Sequence, residues 1–239
     1  MRILLVEDDK NTAGTLVKAL RADGFTCDTT DTGEDAIQLT RLYQYDGIIL
    51  DLMLPDMEGM ELLRRLRSTK NQTPTIILSG LNGVSEKIRG LSAGADDYIE
   101  KPCNHKELIA RLHAVVRRAM GYSDSKITLG RISINLQTKT AKTDGIPLKL
   151  TSKEYAILEL LMLKKGHTLS KEAFLTHLYD ERSEEPAQKI VDVFICKLRK
   201  KLQIALGTNH PYIETIWGRG YMLVNPDGEE PKIAIGSNG

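Results

Sequence analysis

GIILDLMLPDMEG, residues 47–59, is the stretch on which the fold turns. Its opening run, Gly47 to Leu50, is apolar without alternation and ends abruptly on Asp51. A short continuous run of this kind belongs to a strand buried on both faces, as in the middle of a parallel sheet. Outward in both directions the same unit recurs. Strand-like runs stand at Ile3–Val6, Thr26–Thr29, Thr75–Leu78 and Asp97–Ile99, separated by amphipathic stretches at 10–22, 33–44, 57–69, 84–93 and 104–118. Regular alternation of strand and helix implies right-handed βαβ units, and hence an α/β unit over residues 1–118 with a doubly wound parallel sheet.

The alternation stops at Gly121-Tyr122-Ser123-Asp124-Ser125-Lys126, which places a linker over 119–126. Beyond it the period changes. ITLGRISINLQTKTAKTDGIPLKLT, residues 127–151, alternates and carries Asp144-Gly145, a hairpin turn signal. Thr151 with Glu154 three residues on forms a capping box ahead of a helix at 152–164, and further helices are expected at 170–178 and 186–202. A last hairpin sets Ile213–Trp217 against Tyr221–Val224, with Gly218-Arg219-Gly220 at its tip. Trp217 is read there as hairpin packing rather than as a base-stacking platform. Sheet, three helices and terminal hairpin give an α+β winged-helix unit over 127–225. The polar, Gly-containing residues 226–239 are expected to be a disordered tail.

Charge separates the two units. Residues 1–118 hold 16 Lys and Arg against 18 Asp and Glu, whereas residues 127–225 hold 15 against 10, a net of +5. A basic second half points to a polyanionic partner there. Cys27, Cys103 and Cys196 are scattered and off metal-ligand spacing, which fits unpaired thiols in a reducing compartment. With no signal-peptide pattern before ILLV and no apolar run of membrane-spanning length, the chain is expected to be cytoplasmic, with no membrane partner.

Open α/β sheets place ligands at the carboxyl ends of their strands. Glu7, Asp8 and Asp9 end the first run, Asp51 the third and Ser79 the fourth, while Lys101 follows the fifth. Crowded carboxylates repel one another unless a cation intervenes, and hard Mg²⁺ suits one or two carboxylates together with phosphate oxygens. Asp51 can then act as a carboxylate nucleophile toward a phosphoryl group. Lys101 would stabilise charge on the transferred oxygens, and Ser79 would hydrogen-bond the product.

LLVEDD, DLMLPDMEG and GADDYIEKP resemble the receiver domain of two-component response regulators. The resemblance implies a flavodoxin-like strand order 2-1-3-4-5 and phosphorylation of Asp51 by a histidine kinase or phosphotransferase. It implies Mg²⁺ on Asp8, Asp51 and the main-chain carbonyl of Met53, with Glu7 beside them. Ser79 and Tyr98 match a switch pair, and Lys101-Pro102 matches a bond usually found in cis. It further implies homodimers formed on phosphorylation through the fourth helix, fifth strand and fifth helix. The implied pairs there are Lys87 with Glu107, Asp97 with Arg111, and Asp96 with Arg118.

In the second unit, Val191, Ile195, Leu198 and Leu202 form one apolar helical stripe. Opposite lie Lys189, Val193, Cys196, Lys197 and Lys200, flanked by Arg199 and Lys201. A basic helix closing a three-helix unit and followed by an Arg219-tipped hairpin suits a major groove with a wing beside it. LTSKEYAILELL, VDVFICKLRKKL and IETIWGRGY resemble the winged-helix effectors of the OmpR/PhoB family, and the last two also resemble alphaproteobacterial cell-cycle regulators of the CtrA type. That resemblance implies double-stranded DNA and RNA polymerase as partners. The implied DNA contacts are Lys189, Val193, Lys197, Arg199, Lys200 and Arg219.

Other readings fit less well. An aspartyl-phosphate phosphohydrolase needs an acid two residues after its nucleophile, where Met53 stands. A nucleotide-binding Rossmann enzyme needs a Gly-rich turn where EDD stands. A receiver acting only as a dimerisation module would not need the complete acidic set. The reading is therefore of a transcription factor and not an enzyme.

Overall fold

The computed structural model describes residues 1–81, 83–179, 188–208 and 211–226. Its first unit runs β1 (Arg2–Val6), α1 (Lys10–Ala22), β2 (Thr26–Thr30), α2 (Gly33–Leu42), β3 (Gly47–Leu50), α3 (Gly59–Ser68), β4 (Thr75–Ser79), α4 (Val84–Ser92), β5 (Asp97–Glu100) and α5 (His105–Ala119). All five strands are parallel, in the order β2-β1-β3-β4-β5. Every residue of β1, β3 and β4 is buried, as their unbroken apolar runs require.

Successive side chains of a strand point to opposite faces, so each run feeds two cores. Ile3, Leu5, Ile49, Ile76 and Leu78 meet Leu16 and Leu20 of α1 and Leu108 and Leu112 of α5. Leu4, Val6, Ile48, Leu50 and Ile77 meet Ala36 and Ile37 of α2 and Leu62 and Leu63 of α3. The fourth helix is different: only Gly90 of α4 is buried, and Val84, Ile88 and Leu91 lie exposed.

The second unit opens with an antiparallel meander, β6 (Lys126–Leu129), β7 (Ile132–Asn135), β8 (Thr140–Thr143) and β9 (Ile146–Leu148). Asp144 and Gly145 both take positive φ, 50° and 79°, as the tight turn between β8 and β9 demands. Then come α6 (Ser152–Leu163), α7 (Lys171–Leu178), α8 (Lys189–Leu206) and the hairpin β10 (Ile213–Ile216) and β11 (Gly220–Leu223). Thr151 and Glu154 form the expected capping box. Val191, Ile195, Leu198 and Leu202 are buried together against Ile157, Leu158 and Leu161 of α6 and Phe174 of α7.

Two expectations change. The last helix continues past 202 to Leu206, where Gly207 stops it in a left-handed conformation at φ 62°; residues 186 and 187 of its expected start lie outside the described residues. Trp217 belongs to the turn and not to the strand, and at 90% exposure it packs against nothing in the hairpin. The physical reason is the turn itself: Arg219 N–H donates to the Ile216 carbonyl at 2.9 Å, so Trp217 sits at a corner with no residue across from it. Apart from Pro226, the expected disordered tail also lies outside the described residues.

The units touch through the start of β2. The Thr26 hydroxyl donates to the His177 carbonyl at 2.9 Å. Lys139 Nζ lies 3.1 Å from Asp23 and 5.1 Å from the centre of the Phe25 ring.

Candidate functional site

Three buried strands end in one cleft. Glu7 follows β1, Asp51 follows β3, and both carboxylates are buried, while Asp8 beside them is exposed. One oxygen from each of Glu7, Asp8 and Asp51 comes within 4.8 Å of the others. Lys101 reaches across from the end of β5, donating to both Glu7 oxygens at 2.7 and 2.8 Å and to Asp51 Oδ2 at 2.5 Å. The other Asp51 oxygen accepts the Met53 N–H at 3.1 Å.

Burial pushes the Glu7 carboxyl above its ordinary value, against the pull of Lys101. Burial also disfavours the Lys101 charge, but its hydrogen bonds to Asp51 and Glu7 prevail and raise the ammonium above the usual lysine value. Three carboxylates against one ammonium leave surplus negative charge. An all-oxygen donor set of that charge fits a hard divalent cation.

Asp9 stands apart. Its carboxylate caps α1, accepting from Asn11 N, Thr12 N and the Thr12 hydroxyl. An Asp after a strand reads alike as cleft ligand or helix cap, and three residues on, Thr12 was the signal for the cap. Ser79 is fully buried, and its Oγ accepts from Leu81 N at 3.2 Å. Tyr98 is buried too and donates to the Leu81 carbonyl at 2.7 Å. The two residues therefore converge on the loop that leads into α4. Lys101-Pro102 is cis.

Within this single chain most of the charges expected at a dimer face have intramolecular partners, some of them outside the expected set. Lys87 pairs with Glu100 at 3.1 Å, Arg111 with Glu107 at 2.8 Å and Asp97 at 3.1 Å, and Asp96 with Arg67 at 3.5 Å. Arg118 is exposed.

The second candidate surface is the outer face of α8. Lys189, Val193, Cys196, Lys197 and Lys200 are all exposed there, as is Arg219 at the hairpin. Asp192, the acid of that helix, is occupied on both oxygens, by Lys171 Nζ at 2.8 Å and the Tyr221 hydroxyl at 2.5 Å. Those bonds hold its carboxyl below the ordinary value. Arg199 is turned away from the open face: its Nε donates to the Ile213 carbonyl and its Nη2 to the Thr215 hydroxyl, both at 2.8 Å. It braces β10 against α8. Nothing in the local sequence distinguishes a bracing arginine from a contacting one, because its partners lie 14 and 16 residues away.

Residues 3–113 match the family described as response regulator receiver domain, and residues 145–223 match transcriptional regulatory protein, C terminal. The chain is 55% identical over 229 residues to the cell cycle response regulator CtrA of Brucella ovis, covering 96% of this chain and 98% of that one. It is 54% identical, over the same shares, to the protein of that name from Brucella anthropi. Among solved structures, response regulator DrrB of Thermotoga maritima, described as an OmpR/PhoB homolog, is 32% identical over 93% of this chain and 98% of that chain, with a TM-score of 0.45.

Proposed function

The chain belongs to the two-component response regulators that join a receiver domain to an OmpR/PhoB-type DNA-binding effector, and from that premise we propose a phosphorylation-controlled transcription factor of the cell-cycle type. The observation that carries the reading is the position of Lys101, bonded at once to Glu7 and Asp51 with Asp8 alongside.

In this mechanism an Asp51 oxygen attacks the phosphorus of a phosphohistidine on a histidine kinase or phosphotransferase. The bond from phosphorus to ring nitrogen breaks, and its electron pair leaves on the imidazole. Lys101 moves from carboxylate oxygens to a phosphoryl oxygen, where its positive charge is already in place and desolvated. Ser79, held in the floor of the cleft, hydrogen-bonds a second phosphoryl oxygen. Mg²⁺, when bound by Asp8, Asp51 and the Met53 carbonyl with Glu7 beside them, would neutralise the carboxylates and polarise the phosphoryl group.

Ser79 and Tyr98 share the Leu81 main chain, so a change at the phosphoryl group reaches the loop before α4. That helix and α5 carry Lys87, Glu107, Arg111 and Arg118, and with Asp96 and Asp97 they would exchange partners between two copies. The dimer presents two α8 helices to tandem half-sites about one helical turn, ~10–11 base pairs, apart. Lys189, Val193, Lys197, Lys200 and Arg219 face the duplex, with Arg199 positioning the hairpin behind them. RNA polymerase is the further partner of such a factor. A chromosomal DNA partner supports a cytoplasmic location; among the described residues no helix is long and apolar enough to cross a membrane.

A small phosphodonor with Mg²⁺ should add one phosphoryl group, read as an intact-mass shift that chelation abolishes. Persistence of the full shift in Asp51→Asn would overturn the assignment.

A further inference from the structure

The hairpin turn carries a residue that the phosphorylation and groove contacts above do not use. Trp217, the sole tryptophan of the chain, is 90% exposed, more than any other large hydrophobic residue among those described. An indole offers some 150–250 Å² of apolar area, which is favourable to remove from water. A single exposed hydrophobic residue is ordinary on a protein surface; what sets Trp217 apart is an amphipathic ring held on a firm turn beside basic side chains, which gives it both an apolar face and an N–H donor to offer a partner.

The support is firm. Arg219 N–H closes the turn on the Ile216 carbonyl at 2.9 Å, with Gly218 at φ 71° in the position that such a turn reserves for glycine. Below it, Tyr221 and Leu169 exchange main-chain hydrogen bonds at 2.8 and 2.9 Å, and a Cβ on Gly220 would collide with the Leu169 carbonyl oxygen. Arg199 ties β10 to α8, and the Tyr221 hydroxyl ties β11 to Asp192 of α8. The indole and the Arg219 side chain therefore leave one rigid corner, fixed relative to the helix whose open face carries Lys189, Lys197 and Lys200.

We infer that Trp217 is a DNA-contacting residue of the wing: its ring lies against the deoxyribose edge of the groove that Arg219 enters, and its Nε1–H donates to a phosphate oxygen. The inference rests on the reading of α8 and the hairpin as the DNA surface. Duplex DNA is favoured over a protein partner because the neighbouring exposed charges on the helix and turn are basic. Apolar contact by an indole releases no counterions, so Trp217 adds affinity that salt does not weaken, whereas Arg219 adds affinity that it does.

Because no other tryptophan is present, the full-length protein reports on this residue directly. Titration with a short mixed-sequence duplex should quench the emission and protect it from iodide. Trp217→Ala should weaken binding about five- to thirtyfold and leave the slope of log affinity against log salt unchanged. Trp217→Phe should recover part of the loss. Arg219→Ala should instead lower that slope by ~1. The turn position is exposed, so melting temperatures should match the parent. Parent emission unchanged by DNA, together with unchanged affinity for the tryptophan variants while Lys200→Ala and Arg219→Ala are weakened, would overturn the inference and leave the DNA surface standing. If all four variants bind like the parent, the DNA surface itself is misplaced and both readings fall. Quenching that follows protein concentration without DNA would assign the indole to a contact between copies and overturn the inference as well.

Discussion

Lys101 holds together two carboxylates that would otherwise repel. Its side chain is 24% exposed, while those of Glu7 and Asp51 are 2% and 7% exposed, so the repulsion would be poorly screened without it. Removing one partner of a buried charge cluster costs ~3–5 kcal/mol, and the partial exposure of the ammonium brings the expectation for Lys101→Met down to roughly 2–4 kcal/mol. The remaining carboxylates then have no cation of the protein's own, and stability should become dependent on an added one. In thermal unfolding, Mg²⁺ should therefore raise the melting temperature of Lys101→Met more than that of the parent; no shift in either protein would show that the cation does not bind among these carboxylates. Much of the site is legible in the sequence. Asp51 and Ser79 each close an apolar strand run and Lys101 follows the short fifth strand, and a strand end in a parallel sheet has only one place to point. Asp9 was less so, because its carboxylate satisfies the first amides of α1 instead of joining the cleft, and both fates follow the same run. Trp217 was misread since its neighbours alternate like a strand, and only the closed turn reveals that no residue stands opposite.

The start of α6 joins a local cap to a distant helix. Thr151 accepts from Glu154 N, and the Glu154 carboxylate accepts from Thr151 N at 2.7 Å, so two amides left over at the helix start are satisfied. That box was legible from two residues three apart. Its third member was not: Lys201 of α8 donates to the same carboxylate at 2.7 Å from 47 residues away. A local device thus becomes a joint between the helix that starts the effector core and the helix that faces outward. Thr151→Ala should cost ~1 kcal/mol, as caps do, measured by denaturant unfolding. Glu154 adds a dependence on pH. Burial pushes its carboxyl up, but the hydrogen bonds from Lys201 and Thr151 prevail and hold it below the ordinary value of 4.5. A group depressed in the folded state stabilises the fold above its unfolded value, and that contribution drains away as the pH falls through the folded one. Glu154→Gln should therefore melt below the parent near neutrality, and the gap should close as the pH drops below 4.5. A gap of constant size through the carboxylate range would mean that the charge of Glu154 contributes nothing.

For the whole molecule the decisive fact is which surfaces the two units use on each other. They meet at the start of β2, through Thr26 against His177 and Asp23 against Lys139. No sequence pattern announced this contact, since it joins residues 116 to 151 positions apart that each look like ordinary surface. It leaves both working faces open in the same conformation: Lys197, Lys200, Trp217 and Arg219 are exposed on one side, and Val84, Ile88 and Leu91 of α4 on the other. A receiver that does not cover the recognition helix cannot control it by uncovering it. Phosphorylation of Asp51, as proposed above, would then have to act through the pairing of copies, which raises affinity only where two half-sites can be engaged together. On a duplex carrying one half-site, the phosphorylated and unphosphorylated chains should bind alike. On a duplex with two half-sites about one helical turn apart, ~10–11 base pairs, phosphorylation should increase affinity, and lengthening the spacer by half a turn should remove the increase. Parallel ultracentrifugation should show the phosphorylated chain forming dimers at concentrations where the unphosphorylated one does not. An equal gain on the single half-site would place the switch in the contact between the units instead, with Lys139→Glu then expected to mimic phosphorylation by breaking the pair with Asp23.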